Sequence, residues 1–119
     1  MTINNVQANK ALVERYLEMW NTGNAAIADQ ILSPTWQDHN HPEITSIEGV
    51  RQALAATRQA FPDFHISVEA IIGERNVVAL RAIVQRTRQG SFETSRVVWF
   101  VRVEDGKLAE LWTVAEPPG

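Results

Sequence analysis

The chain contains no cysteine. This absence excludes disulfide bonds, zinc sites built on thiolates and cysteine nucleophiles together. It fits a reducing compartment, and we therefore expect a cytoplasmic protein. The fold must then rely on its core alone. A chain of 119 residues is long enough for that, because a domain of this size buries roughly two-thirds of the surface that its unfolded chain exposes.

The sequence also lacks long apolar runs and clusters of basic residues. No apolar run approaches the roughly 18 residues that a membrane-spanning helix needs, and the first ten residues lack the apolar segment of a secretory signal. The net charge is −3, and the arginines are spread through strand-like segments with apolar neighbours. A nucleic-acid surface normally needs a clustered basic stripe. We therefore expect neither a membrane nor a nucleic acid as partner.

Apolar residues recur at helical spacing in three segments of the first half of the chain. The predicted helices are residues 4–21, 24–32 and 47–60. Gly23 is predicted to end the first helix, and Ser46 to cap the third. The segment between the second and third helices, TWQDHNHPEITS, is predicted to be an irregular loop.

The period of the apolar residues changes to two after residue 63, which is typical of β-strands. Four strands are predicted, at residues 64–72, 76–88, 92–104 and 106–116. Asp105 and Gly106 form a tight-turn pair that joins the last two strands as a hairpin. Helices followed by an antiparallel meander define an α+β fold, and we expect a single domain over residues 1–119.

Several of these strands have apolar residues on both faces, which predicts a sheet that is covered on both sides. The helices cover one side, and few residues remain to cover the other. We therefore expect a homodimer, in which a second copy covers small apolar positions of the last strand. The positions predicted to face that copy are Ala109, Leu111, Thr113 and Ala115.

The three histidines are candidates for chemistry. An extended HNH segment would place His39 and His41 on the same side, with Asp38 and Glu43 nearby. A metal site needs at least one further well-placed ligand, and no histidine follows His65, so we expect neither a metal nor a cofactor. The histidines are either surface residues of a loop, or His39 lines a pocket as a hydrogen-bond donor or proton carrier.

The four tryptophans, Trp20, Trp36, Trp99 and Trp112, are many for a chain of this length. Together with Tyr16 they either pack as ordinary core or line a half-open apolar cavity. In a cavity with a few polar groups, the indole N–H and phenol O–H groups could form hydrogen bonds, and a small hydrophobic molecule could bind.

The last predicted strand has two carboxylates on one of its sides. By strict alternation, Glu110 and Glu116 share that side with Leu108, Trp112 and Val114. Glu116 is either a solvated residue after the strand or a carboxylate at the end of an apolar pocket. In the second case desolvation would make it a usable general base near neutral pH.

Taken together, the segments ALVERYLEMWNTGN, TWQDHNHPE, FPDFHISVEAIIGERNVVALR, RTRQGSF and RVEDGKLAELWTVAE resemble the SnoaL-like polyketide cyclases, within the nuclear transport factor 2-like superfold. The resemblance implies a cone-shaped roll of three helices packed into a curved, mainly antiparallel sheet around an apolar pocket. It implies cofactor-free acid–base catalysis that closes a ring by intramolecular aldol condensation of a polyketide ester.

The resemblance also implies roles for particular residues. The family's base lies four residues beyond the final-strand tryptophan, which is Glu116 in this chain, and the family's loop histidine corresponds to His39. The predicted substrate-binding residues are Tyr16, Trp20, Trp36, Trp99, Trp112 and Val114. The chain departs from the family in having glutamate for aspartate at the base and no histidine on its last strands.

Three other functions stay open. A ketosteroid isomerase-like site would use a tyrosine and a protonated aspartate to hold the dienolate, and Tyr16 is the only tyrosine. A limonene epoxide hydrolase-like site would need carboxylates bridged by an arginine, for which Glu93 and Arg96 are the nearest candidates. The third is a ligand-binding or dimerisation module without chemistry, since a fold alone does not certify a function.

Overall fold

The computed structural model describes residues 5–116, so the predicted start of the first helix at residue 4 lies outside the described residues. Helices come first and the antiparallel strands follow, as predicted. The elements are α1 (Val6–Thr22), α2 (Ala26–Ile31), β1 (Leu32–Asp38), α3 (Ile47–Ala60), β2 (His65–Glu74), β3 (Val77–Arg88), β4 (Ser91–Glu104) and β5 (Lys107–Ala115).

The helix ends follow the capping residues of the sequence. Asn5 accepts a hydrogen bond from the backbone of Ala8 and starts α1, and Gly23 ends that helix with φ of 76°. Ser46 accepts a hydrogen bond from the backbone of Gly49 and starts α3, whose bounds are those predicted. These caps are local interactions, which is why the sequence alone located them.

The five strands form one curved, open sheet in the order β1-β5-β4-β3-β2. Neighbouring strands from β2 to β5 are antiparallel, whereas β1 pairs with β5 in parallel. The predicted loop over residues 35–46 is wrong for residues 35–38, which belong to β1, and Leu32, predicted as the end of the second helix, is the first residue of this strand. Pro34 weakens the strand signal, but β1 lies at the edge of the sheet, where a residue without an N–H group is tolerated.

The turn that joins β4 to β5 confirms the predicted hairpin. Asp105 and Gly106 both have positive φ, at 50° and 73°, which is the backbone geometry that two-residue hairpin turns favour. The same geometry recurs at Gln89 and Gly90, between β3 and β4, with φ of 51° and 80°. Among residues 5–116, no helix is long and apolar enough to cross a membrane.

A bulge in β5 changes which residues face the helices. Arg102 pairs with Glu110 and Val103 pairs with Leu108, so Ala109 is an extra residue opposite β4. Leu108 therefore lies on the inner face of the sheet, whereas Glu110 lies on the outer face. The prediction that these two residues share a side is wrong, because strict alternation holds only up to the bulge.

The core lies between the inner face of the sheet and the three helices. The largest of the fully buried side chains come from all of these layers: Val13, Met19, Ile27, Leu32, Leu54, Val78 and Leu108. Ala109 and Leu111 are also buried, and they are not available to a second copy of the chain, contrary to prediction. The bulge at Ala109 is the reason, since it turns Leu111 toward the helices.

Candidate functional site

A cavity of about 520 Å³ opens between the inner face of the sheet and the helices α1 and α3. Six aromatic side chains line it: Tyr16, Trp20, Trp36, Phe61, Phe64 and Trp99. Most of the remaining wall is aliphatic, from residues such as Val50, Ile66 and Leu111. Its size and lining are those of a site for a small hydrophobic molecule, since such sites enclose about 300–1,000 Å³.

Four of the six predicted substrate-binding residues line this cavity, namely Tyr16, Trp20, Trp36 and Trp99. Tyr16 is at their centre, with ring centroids 6.3 Å from Trp20, 5.6 Å from Trp36 and 5.7 Å from Trp99. The helix α1 presents Tyr16 and Trp20 on one side because they are four residues apart. Aromatic edges and faces therefore form a rigid, dry surface on one wall.

The phenol of Tyr16 is buried among these rings. Burial is the main reason why the pKa of Tyr16 is raised, and the negative charge of Asp38 raises it further, while a hydrogen bond with Trp20 acts in the opposite direction. The phenol therefore keeps its proton at neutral pH and can donate a hydrogen bond to a bound molecule.

Asp38 is a cavity residue to which the sequence analysis gave no catalytic role. It is the last residue of β1, pairs with Leu111 of β5 and is only 8% exposed. Its Oδ1 atom accepts a hydrogen bond from the backbone N–H of Asn40 at 3.0 Å. Had the segment been recognised as a strand, the spacing of two residues from Trp36 would have placed both side chains on the same face.

The mouth of the cavity has polar residues. His41 and Glu43 are 3.2 Å apart and mostly exposed. Arg86 of β3 lies 4.8 Å above the ring of Phe61 and 3.5 Å from a carboxylate oxygen of Glu93. A ligand held against the aromatic wall would therefore have charged groups only near the opening and at Asp38.

His39 lies on the outer face of the sheet and not in the cavity. Its ring stacks on Trp112 at 4.7 Å, with an interplanar angle of 9°, and its Nε2 atom is 2.8 Å from a carboxylate oxygen of Glu110. His39 and His41 do not share a side, because residues 38–41 form a turn in which the N–H of His41 donates to the carbonyl of Asp38. Of the two alternatives for His39, a surface position and a position in the pocket wall, the structure agrees with the first, because His39 is not among the residues that line the cavity.

Trp112, Val114 and Glu116 also lie on the outer face. Val114 pairs with Val98 and is 67% exposed, and the backbone N–H of Glu116 donates to the carbonyl of Arg96. None of these three residues is among those that line the cavity. The bulge is the reason, because it turns Leu111 and Thr113 toward the cavity instead. Catalysis by Glu116 and His39 stays a prediction, without a place in this cavity.

The described residues do not bring together the other candidate groups. No cluster of three or more histidine, aspartate or glutamate side chains that could hold a metal ion occurs in residues 5–116. Arg96 is paired with Glu69 at 3.4 Å, whereas Glu93 is near Arg86 and Arg88. The arginine–carboxylate arrangement considered for an epoxide hydrolase-like site is therefore not formed by Arg96 and Glu93.

The chain thus combines helices and a curved five-stranded sheet with an aromatic cavity between them. Residues 10–117 match the family described as SnoaL-like polyketide cyclase. Because this match covers most of the chain, the protein belongs to the SnoaL-like polyketide cyclase family. Among curated proteins, none matches the chain.

Solved structures agree with this fold. TsrD from Streptomyces laurentii is similar with a TM-score of 0.82 and 20% identity, over 94% of this chain and 90% of that one. A candidate polyketide cyclase from Bacillus cereus ATCC 10987 has a TM-score of 0.82 and 22% identity, over 92% and 74%. A SnoaL-like polyketide cyclase from Agrobacterium tumefaciens C58 has a TM-score of 0.77 and 15% identity, over 91% of each chain. At these identities the likeness concerns the fold.

Proposed function

We propose that the protein is a cofactor-independent acid–base enzyme of the cyclase or isomerase type. Its substrate is a hydrophobic, polyketide-like ketone or ester held in the cavity. The observation that carries this proposal is an aromatic cavity of about 520 Å³ with an ionisable carboxylate in an otherwise largely apolar wall. Family membership supports the same reaction class.

The chemical argument rests on the surroundings of the reacting groups. A flat, ring-forming molecule gains contact with the tryptophan and tyrosine faces, and its polar atoms remain for the few polar side chains. Fixed donors and charges act more strongly in a site that excludes water, because the effective dielectric constant there is lower. An enolate formed in such a site is stabilised without any cofactor.

The alternative is a non-catalytic binding module with the same cavity. One observation favours it: the acid and the histidine to which the resemblance assigns catalysis, Glu116 and His39, are both outside the cavity. A binding module would retain the aromatic wall and need no positioned base. A ketosteroid isomerase-like reaction remains among the enzyme alternatives, with Tyr16 inside the cavity.

A substitution that fills the cavity tests whether hydrophobic molecules bind there, as both the enzyme and the binding module require. Ala53 of α3 lines the cavity, whereas Ala55 of the same helix is exposed. We expect Ala53→Trp to weaken the binding of hydrophobic ketones at least tenfold by occupying their space, and Ala55→Trp to leave it unchanged. Binding is measured by quenching of tryptophan fluorescence, and turnover by NMR of the ketone or ester. Binding with turnover supports the enzyme, whereas binding without turnover across the panel supports the module.

We also propose that the protein is a homodimer that pairs through the outer face of its sheet. Four apolar side chains of β4 and β5 are adjacent there and exposed: Val98, Phe100, Trp112 and Val114. Next to them Glu69 is 3.4 Å from both Arg81 and Arg96. A face that carries charges of both signs beside an apolar centre suits a two-fold contact, because each copy must complement itself.

A further inference from the structure

The cavity wall contains a buried carboxylate that differs from the one the family resemblance assigns. The acidic residues among the described lining are Asp38 and Glu43. Glu43 is at the mouth, with a side chain 68% exposed, and hydrogen bonds from its own backbone and from His41 lower its pKa. A solvated carboxylate of low pKa is a weak base. Asp38 is shielded from bulk water and is the better placed of the two.

The two oxygens of Asp38 have different surroundings. Oδ1 is held by the backbone N–H of Asn40, and the side chain of Asn40 in turn accepts a hydrogen bond from the backbone of Thr113. Oδ2 makes no hydrogen bond with any of residues 5–116, yet no side-chain oxygen in that range is both fully buried and unpartnered. Oδ2 therefore retains accessible surface on a side chain that lines the cavity, while the hydrogen bond to Oδ1 fixes the orientation of the carboxylate.

Tyr16 provides the complementary group. It lines the same cavity from the opposite element, α1, and the charge of Asp38 acts on its phenol. The phenol is protonated, and packing against Trp36 and Trp99 fixes its ring. A fixed base and a fixed neutral donor thus lie in one dry cavity, which is the requirement for removing a proton next to a carbonyl group.

We propose that Asp38 is the general base and Tyr16 the hydrogen-bond donor of an enolising site for hydrophobic ketones. This inference rests on the proposed function and specifies its substrate as a carbonyl compound with an acidic α-hydrogen. Asp38 takes the α-proton, the electrons of the C–H bond form a C=C bond, and the carbonyl electron pair moves to the oxygen, to which Tyr16 donates a hydrogen bond. Protonated Asp38 then returns the proton to a carbon atom, and delivery to a different carbon isomerises the substrate. If the proton on Asp38 is first replaced by one from the solvent, the α-hydrogen is exchanged.

The same pair completes a ring closure. The enolate carbon attacks a second carbonyl group of the same molecule and forms the new C–C bond. The second carbonyl oxygen then takes the proton from Asp38 and becomes a hydroxyl group. The base is regenerated, and no oxidant, reductant or other co-reactant is consumed.

The test uses 2-tetralone, a bicyclic ketone, and 2-naphthol, which resembles its enol. Exchange of the α-hydrogens of 2-tetralone in deuterated water is followed by proton NMR, and 2-naphthol binding by tryptophan fluorescence. The proteins compared are the full wild-type chain and the variants Asp38→Asn, Tyr16→Phe, Glu116→Gln and Glu14→Gln. Glu14→Gln is the matched control, because Glu14 is exposed on α1 away from the cavity.

We expect Asp38→Asn to slow the exchange at least about 100-fold while it changes 2-naphthol binding less than threefold. Tyr16→Phe is expected to slow the exchange roughly 100-fold and to weaken 2-naphthol binding about 3- to 10-fold, as one lost hydrogen bond would. Glu14→Gln is expected to match the wild type. This pattern separates a base from a residue that merely shapes the cavity.

Other results overturn the inference in distinguishable ways. If Asp38→Asn exchanges at the wild-type rate and Glu116→Gln loses the exchange, the base is Glu116 and not Asp38. The proposed function then still holds. Binding of 2-naphthol by a wild-type protein that accelerates no exchange overturns both the pair and the enzyme in favour of the module. If the wild-type protein neither binds 2-naphthol nor accelerates the exchange, both proposals are contradicted for this substrate class.

A chemical rescue keeps the inference testable if Asp38→Asn is poorly folded. In Asp38→Ala the space of the carboxylate is open to a small acid. We expect exchange by Asp38→Ala to rise with added formate, and the wild type and Glu14→Gln to be insensitive to it. Folding of each variant is checked by its thermal unfolding. A folded Asp38→Ala that exchanges the α-hydrogens at the wild-type rate without formate contradicts the role of Asp38.

Discussion

At the scale of single residues, the surroundings of each carboxylate decide what it can do. Asp38 is buried in the cavity wall and retains accessible surface at Oδ2, whereas Glu110 uses its oxygens in contacts with His39 at 2.8 Å and Arg102 at 2.6 Å. Glu116 is exposed on the outer face. Glu110 is thus paired with two other side chains, and Glu116 is exposed to solvent. Asp38 is the buried carboxylate among the described residues that line the cavity.

Glu110 is expected to make stability depend on pH. Hydrogen bonds from His39 and Arg102 lower the pKa of Glu110 in the folded chain. The resulting stabilisation is present above the ordinary glutamate value of about 4.3 and is lost as pH falls through the lower folded-state value. We expect Glu110→Gln to reduce the free energy of unfolding by on the order of 1 kcal/mol at pH 7, and by less at pH 3.

Urea unfolding at the two pH values measures this difference. The control is Glu14→Gln, since the side chain of Glu14 makes no hydrogen bond with residues 5–116 and its removal should cost little at either pH. An equal cost of Glu110→Gln at pH 7 and pH 3 would show that the contacts of Glu110 contribute no pH-dependent stability.

Among the structural elements, the end of α1 is hydrogen-bonded to the start of the edge strand β2 through the side chain of Asn21. Asn21 donates from Nδ2 to the carbonyl of Ile66 at 2.9 Å and accepts from the N–H of Ile66 at 2.8 Å. The amide thereby takes the place of a neighbouring strand. This contact fixes the end of the helix that presents Trp20 and the start of the strand that presents Ile66 to the cavity.

Removing this contact is expected to destabilise the fold. Asn21→Ala leaves both backbone groups of Ile66 without their partner, and we expect a loss of about 1–3 kcal/mol in the free energy of unfolding. Gln7→Ala, at an exposed position of the same helix, is the control with little expected change. Chemical denaturation of both variants measures the loss, and equal stabilities would contradict the structural role of Asn21.

At the scale of the whole molecule, the two faces of the sheet differ in what covers them. The inner face is covered by helices and contains the cavity. On the outer face Trp112 stacks on His39 and meets Phe100 edge to face, at a centroid distance of 5.9 Å. Large exposed aromatic and aliphatic groups on one sheet face are typical of an interaction surface. This is the basis of the proposed homodimer.

A charge introduced among the exposed apolar side chains of that face is expected to prevent the proposed homodimer from forming. Val114→Glu would bury an unpaired carboxylate in the contact between the two copies, which strongly disfavours association. We expect light scattering after size-exclusion chromatography to give a dimeric mass for the wild type and a monomeric mass for Val114→Glu. Ala56→Glu, on the exposed side of α3, should remain dimeric. A dimeric Val114→Glu would place the contact elsewhere, and a monomeric wild type would contradict the dimer.

Features that depend on neighbouring residues could be predicted from the sequence alone. Periods of 3.6 and two, the caps at Gly23 and Ser46, and the turn at Asp105 and Gly106 are local, so they located the helices, the hairpin and the α+β order. The same periodicity identified Tyr16 and Trp20 as apolar residues on one side of α1, and they do line the cavity.

Which side of the last strand faces the cavity, and which carboxylate lies in the cavity wall, depends on pairing between strands that are distant in the sequence. The bulge at Ala109 depends on how β5 pairs with β4, and β1 exists because a distant strand supplies its hydrogen bonds. One extra residue reverses the direction of every side chain beyond it. Glu116 was therefore predicted inside and lies outside, while Asp38, hidden in an apparent loop, is buried in the cavity wall.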